Sequence, residues 1–155
     1  GLVNVIGTDH CPFNWDQKLM GKDDFSKIPN GHPAIEHRME LIFSEGVHKG
    51  KISLNKFVEV TATNPAKIFG MHPRKGSLSV GADADIVVFN PNTKHTLSVR
   101  SHHMNVDYSS YEGWEVTGKT ETVLRRGEIA IEDGECHLKP GSGKFIARGK
   151  TTKIL

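Results

Sequence analysis

The hydrophobic rhythm of this 155-residue chain changes near Pro73, and the change restricts it to a fold in which helices are followed by strands. Between residues 33 and 49, Ile35, Met39, Ile42, Phe43 and Val47 recur at helical spacing, with Pro33 suited to a first helical position and Gly50 just past the end. Ser53 caps a second predicted helix over 54–63, in which Phe57, Val58 and Thr61 share a side. Asn64-Pro65 caps and starts a short third helix, which Gly70 stops. Beyond Pro73 the pattern is strand-like. Short strands are predicted over 77–80 and 85–89, separated by Gly81-Ala82-Asp83-Ala84, and alternation continues over 95–99 and 114–116. Residues 122–131, an Asp133-Gly134 turn and residues 136–138 read as a hairpin. The expected class is α/β, with a boundary in the 71–76 region. Residues 1–72 form one unit, 73–145 a small sandwich or open sheet, and 146–155 a tail at the end of a surface extension that begins at Lys139.

Ahead of the helices stands Val3-Asn4-Val5-Ile6-Gly7-Thr8-Asp9-His10-Cys11-Pro12-Phe13. Its apolar, β-branched start reads as a buried strand, with Asp9 where the strand stops and a loop begins. In barrels of alternating strands and helices that rim is where catalytic groups project, so Asp9 is a candidate metal ligand or proton carrier. A lone aspartate at such a place also serves as a turn cap, and residue type alone does not decide between the two. Residues 14–32 are polar and mixed and read as a long loop with at most one helical turn, a kind of segment that often carries function. Within it, Pro29-Asn30-Gly31 is turn chemistry; on a barrel rim it would hang an Asn amide and free backbone groups over the pocket.

Lys, Arg, Asp and Glu are interleaved at a formal charge of +2, which gives no basic stripe or acidic block suited to a nucleic-acid or membrane partner. A small-molecule partner is expected instead. With 36% hydrophobic and 25% charged residues the composition is that of a globular protein. An apolar stretch opens the chain without a leading polar segment, so a piece of a longer protein is expected. Cys11 and Cys136 form no Cys-x-x-Cys spacing, which fits reduced thiols in a cytoplasm. Asp83 and Asp85 lack the further carboxylates of a calcium loop and are expected to satisfy backbone donors in their turn. Adjacent His102 and His103 cannot easily grip one ion from a strand and read as ordinary loop histidines.

Three motifs stand in order: Gly7-Thr8-Asp9-His10-Cys11-Pro12-Phe13, then Ile28-Pro29-Asn30-Gly31, then Asn64-Pro65-Ala66-Lys67 followed by Gly76 and Gly81-Ala82-Asp83-Ala84-Asp85. Together they resemble the dihydropyrimidinase and hydantoinase family of cyclic amidohydrolases, over essentially the whole chain. The last motif is shared by amidohydrolases generally, whereas Asp-His-Cys-Pro-Phe with Pro-Asn-Gly is more specific. The resemblance implies the C-terminal part of an amidohydrolase-type (β/α)8 barrel, contributing its last strand and closing helices, followed by strands of a small β-sandwich. It implies a zinc-dependent hydrolase of cyclic amide bonds in 5,6-dihydropyrimidines or hydantoins, a homotetramer when full-length, with two zinc ions per complete site. Asp9 matches the family's metal-binding and catalytic aspartate, and Asn30 a position whose backbone holds the substrate's ring imide. The remaining ligands, including a carboxylated lysine, are expected upstream of this chain. Collapsin-response mediator proteins, non-catalytic scaffolds of the same fold, are the alternative; retention of Asp9 and of Pro29-Asn30-Gly31 favours the enzyme.

Overall fold

Helical periodicity does its work between residues 38 and 68. The computed structural model describes residues 2–154, and in it α2 (Arg38–Ile42) runs directly into a π-helical stretch, Phe43–His48. The expected start at Pro33 is delayed to Arg38, because residues 35–37 form a turn. Ser53 caps α3 (Leu54–Val58), its Oγ accepting from the Lys56 amide at 3.1 Å, and a π-helical stretch, Glu59–Thr63, carries the chain without a break into α4 (Asn64–Ile68). Two expectations fail here. Val58 is exposed, and it is Val60 that joins Phe57 in the interior. Asn64 is no cap: it is 1% exposed, and its amide Nδ2 donates to the Asn4 carbonyl at 2.9 Å and to Glu59 Oε1 at 3.1 Å.

The loop of residues 14–32 is more ordered than its composition suggests. It contains α1 (Trp15–Lys18), a 3-10 turn Leu19–Gly21 and a second 3-10 turn Phe25–Lys27, the latter capped by Asp24. The predicted strand ahead of it is extended backbone without a strand partner among the described residues. Its ties run instead to the helices, through the Ile6 amide to the Val60 carbonyl at 3.2 Å and through Asn4 to Asn64.

After Pro73 the chain forms one four-stranded antiparallel sheet in sequence order, β1 (Ile86–Thr96), β2 (Glu115–Arg125), β3 (Glu128–Glu132) and β4 (Glu135–Cys136). β1 absorbs two predicted segments, 85–89 and the start of 95–99, across an irregularity at Asn90 and Lys94. The predicted 77–80 strand does not form, and the 122–131 run is cut by a turn at Arg126-Gly127 into β2 and β3. That turn and the Asp133-Gly134 turn both place two successive residues at positive φ, the twist that two-residue hairpins favour.

Helices and sheet meet at three phenylalanines. Phe43 lies 4.8 Å from Phe89 and 5.8 Å from Phe57 between ring centroids, tilted and edge-on respectively. Gly118 of β2 makes room for them, since a Cβ there would stand 2.5 Å from Phe43 and 2.8 Å from Phe89. Two polar contacts hold the same layers together: Ser44 Oγ accepts from the Thr117 amide at 3.1 Å, and Glu40 pairs with His95 at 3.0 Å. The tail returns to the helices. The Gly149 and Thr152 amides donate to the carbonyls of Gly70 and Lys67, at 2.7 and 3.0 Å, and Thr151 Oγ1 donates to the Ile68 carbonyl at 3.1 Å at the end of α4.

Candidate functional site

Asp9 sits at the end of the extended segment with φ at +48°, a left-handed conformation that aspartate tolerates better than most residues and that still carries strain. Its side chain is exposed. The next two residues anchor the corner. The His10 ring accepts the Ala34 amide on Nδ1 at 3.3 Å, and Cys11 packs against Gly31 so closely that a Cβ on that glycine would meet the Cys11 Cβ and carbonyl at 2.6 Å. Gly31 has φ of +110°, so both its backbone and its neighbour exclude a side chain. The Pro29-Asn30-Gly31 turn is thereby seated on the loop that follows Asp9, which places Asp9 and Asn30 on adjoining segments.

A third residue closes this unit, and sequence reasoning missed it. Lys18, the last residue of α1, donates from Nζ to the carbonyls of Pro29 and Gly31 at 2.5 Å each, with its ammonium 5.0 Å from the Phe13 ring centroid. No spacing in the sequence signals such a contact, because both acceptors are backbone groups. α1 is itself fixed at its start, where the Trp15 amide donates to Asp107 at 2.8 Å and the Asn14 amide to Gln17 at 2.7 Å.

The remaining candidates lie elsewhere. Asp83 pairs with Arg74 and Lys75, each at 2.9 Å; the Lys75 hydrogen bond and then the Arg74 one hold its carboxyl below the usual range against the opposing effect of burial. Asp85 accepts the Arg126 amide at 2.8 Å and pairs with Lys75, which outweighs the upward push of burial on its carboxyl. The expectation of backbone caps thus holds for Asp85, whereas Asp83 serves an ion-pair network. His103 pairs with Glu36 at 2.7 Å, and this hydrogen bond raises its ring above the ordinary imidazole range. His102 stands edge-on to His37, with 5.8 Å between ring centroids. Among the described residues no group of three or more His, Cys, Asp or Glu side chains is arranged to hold a metal ion. No helix among them is long and apolar enough to cross a membrane.

A model of the amidohydrolase family matches residues 1–130. The chain is 48% identical over 151 residues to a D-hydantoinase of Geobacillus stearothermophilus, covering 97% of this chain and 32% of that one. It is 45% identical over 148 residues to a dihydropyrimidinase of Rattus norvegicus, with 96% and 28% covered. Among solved structures, a D-hydantoinase from Bacillus sp. AR9 superposes with a TM-score of 0.92 at 52% identity over 98% of this chain and 33% of that one. A dihydropyrimidinase from Brevibacillus agri NCHU1002 gives 0.93 at 50% identity over the same shares. The chain therefore spans about a third of the length of the relatives it matches.

Proposed function

Because the chain belongs to the amidohydrolase family, we propose that the protein containing it is a metal-dependent hydrolase that opens the cyclic amide bond of 5,6-dihydropyrimidines or hydantoins. The observation that carries the reading is the strained, exposed corner at Asp9, two residues before the Cys11 that packs on Gly31 of the Asn30 segment. Strain of this kind, of order 1–3 kcal/mol, concentrates at functional sites.

In this reading the chain supplies one carboxylate ligand, Asp9, to a centre of two zinc ions, and its exposed oxygen donors suit that role. The other ligands, a carboxylated lysine among them, come from the rest of the protein. When bound, the ions polarise the ring carbonyl and lower the pKa of attacking water. Asp9 accepts the proton of that water and returns it to the ring nitrogen as the C–N bond breaks, a contribution of about 10²–10⁴-fold. Asn30 holds the ring imide through its backbone and so orients the scissile carbonyl for the attacking water. The reading extends to a cytoplasmic homotetramer; two free, exposed cysteines fit a reducing compartment.

The test is Asp9→Asn in the full-length protein. Hydrolysis of dihydrouracil and hydantoin is expected to fall by at least about 10²-fold while the circular dichroism spectrum and melting temperature stay near wild type. Near-normal turnover by the variant removes Asp9 from the mechanism.

A further inference from the structure

We infer that Lys18 is a positioning residue for substrate, an electrostatic pin that fixes the Pro29-Asn30-Gly31 turn so that the Asn30 amide points at a ring carbonyl. The inference rests on the role proposed for Asn30 and deepens it. A single ammonium bridges two carbonyls, one on each side of Asn30, at 2.5 Å. In a trans peptide the carbonyl and the following N–H point in opposite directions. Holding the Pro29 carbonyl toward Lys18 therefore turns the Asn30 N–H away from it, and holding the Gly31 carbonyl does the same for the His32 N–H. A cation on the carbonyl also polarises the peptide group and makes the opposite N–H a stronger donor. The ligand chemistry this suits is a hydrogen-bond acceptor, which on the proposed function is a carbonyl of the cyclic amide.

Independent contacts hold the pin and the turn at a set separation. Gly21 is buried against Ile28, where a Cβ would stand 2.1 Å from the Ile28 Cγ1 and 2.7 Å from its backbone nitrogen. The helical segment of Lys18 is thus pressed against the residue that leads into the turn. Gly31 is backed by Cys11 on the far side. Lys18 is half-buried and has taken neutral carbonyls as partners, whereas a solvated surface lysine usually pairs with carboxylates or water. Its stem carries the charge past Phe13, whose ring face lies 5.0 Å away.

The experiment compares wild-type full-length protein with Lys18→Met and Lys18→Arg in steady-state hydrolysis of dihydrouracil and hydantoin, with metal content and amide hydrogen exchange measured on the same samples. The expected result is a rise in KM of about tenfold for Lys18→Met with kcat within about threefold, unchanged metal content and faster exchange confined to the bonded amides that flank the turn, Ile28 and Ala34. Arginine, which keeps a charged donor fork, is expected to restore most of the KM. Wild-type KM in Lys18→Met, or a loss in kcat alone, overturns the inference. Should Lys18→Met not fold, Lys18→Gln takes its place and is read in the same way. A wild-type protein that hydrolyses neither substrate overturns the functional reading instead, and the exchange data then still decide whether Lys18 fixes the turn.

Discussion

His37 is 3% exposed and meets the rings of His102 and Tyr111 edge-on, at 5.8 and 6.5 Å between centroids. Burial pushes its imidazole below the ordinary range; Glu36 and Glu40 pull it back, while His102 and His95 push it further down. A histidine whose folded pKa lies below its unfolded value contributes stability that is complete above the unfolded pKa, near 6.5, and is lost as the pH falls toward the folded value. His37→Gln is therefore expected to flatten the acid side of the melting-temperature profile below about pH 6.5 relative to wild type. An unchanged profile removes His37 as a source of acid sensitivity. Nothing in the sequence marks this residue, because its neighbours arrive from a loop some 65 positions later. Asp9 and Asn30 stand out in the sequence because each sits in a short motif, and the roles proposed for them come from the family those motifs resemble. Asn64 misleads for the opposite reason: it carries the residue type of a cap, and only the fold shows that its amide spans to Asn4.

Elements announced by periodicity formed near their expected places, and the strand pattern was the less secure part. Ser53 and the 54–68 helical run were readable because capping and apolar spacing are local properties. Residues 77–80 alternate as a strand does, yet Leu78 and Val80 are exposed and the segment has no ladder; a strand requires a partner that local sequence does not specify. The 122–131 run hid its turn because Arg126 adopts positive φ at +51°, a conformation sequence does not advertise for arginine. Gly118 gives a direct test of the helix–sheet joint. Gly118→Ala drives a Cβ into Phe43 and Phe89 at a φ of +102°. The expected loss is about 1–3 kcal/mol, read as a fall in melting temperature of roughly 2–4 °C per kcal/mol. An unaltered midpoint means that the three rings shift freely and do not lock the layers.

The molecule exposes 10649 Å², more than a third above the roughly 7,700 Å² expected for a folded monomer of its 17.1 kDa mass. Leu2, Phe25, Leu78, Val80 and Phe145 are all at least 80% exposed. Such surface marks interfaces or aggregation sites. The chain on its own is expected to bind a hydrophobic dye and to depart from a monodisperse monomer in light scattering, and to hydrolyse no cyclic amide when supplied with zinc. A dye-silent monomer contradicts the first expectation, and measured turnover reveals a self-contained site. Composition alone does not show this excess, since hydrophobic content is ordinary; it emerges only once the interior is seen to be small.

The segment leading to Asp9 is tied to the helical run through Asn4 and Ile6, and its strand edge finds no ladder among the described residues. Two hydrogen bonds, to Asn64 and to Val60, carry the ribbon on the helical run, so a substitution that displaces either residue is transmitted along the backbone toward Asp9.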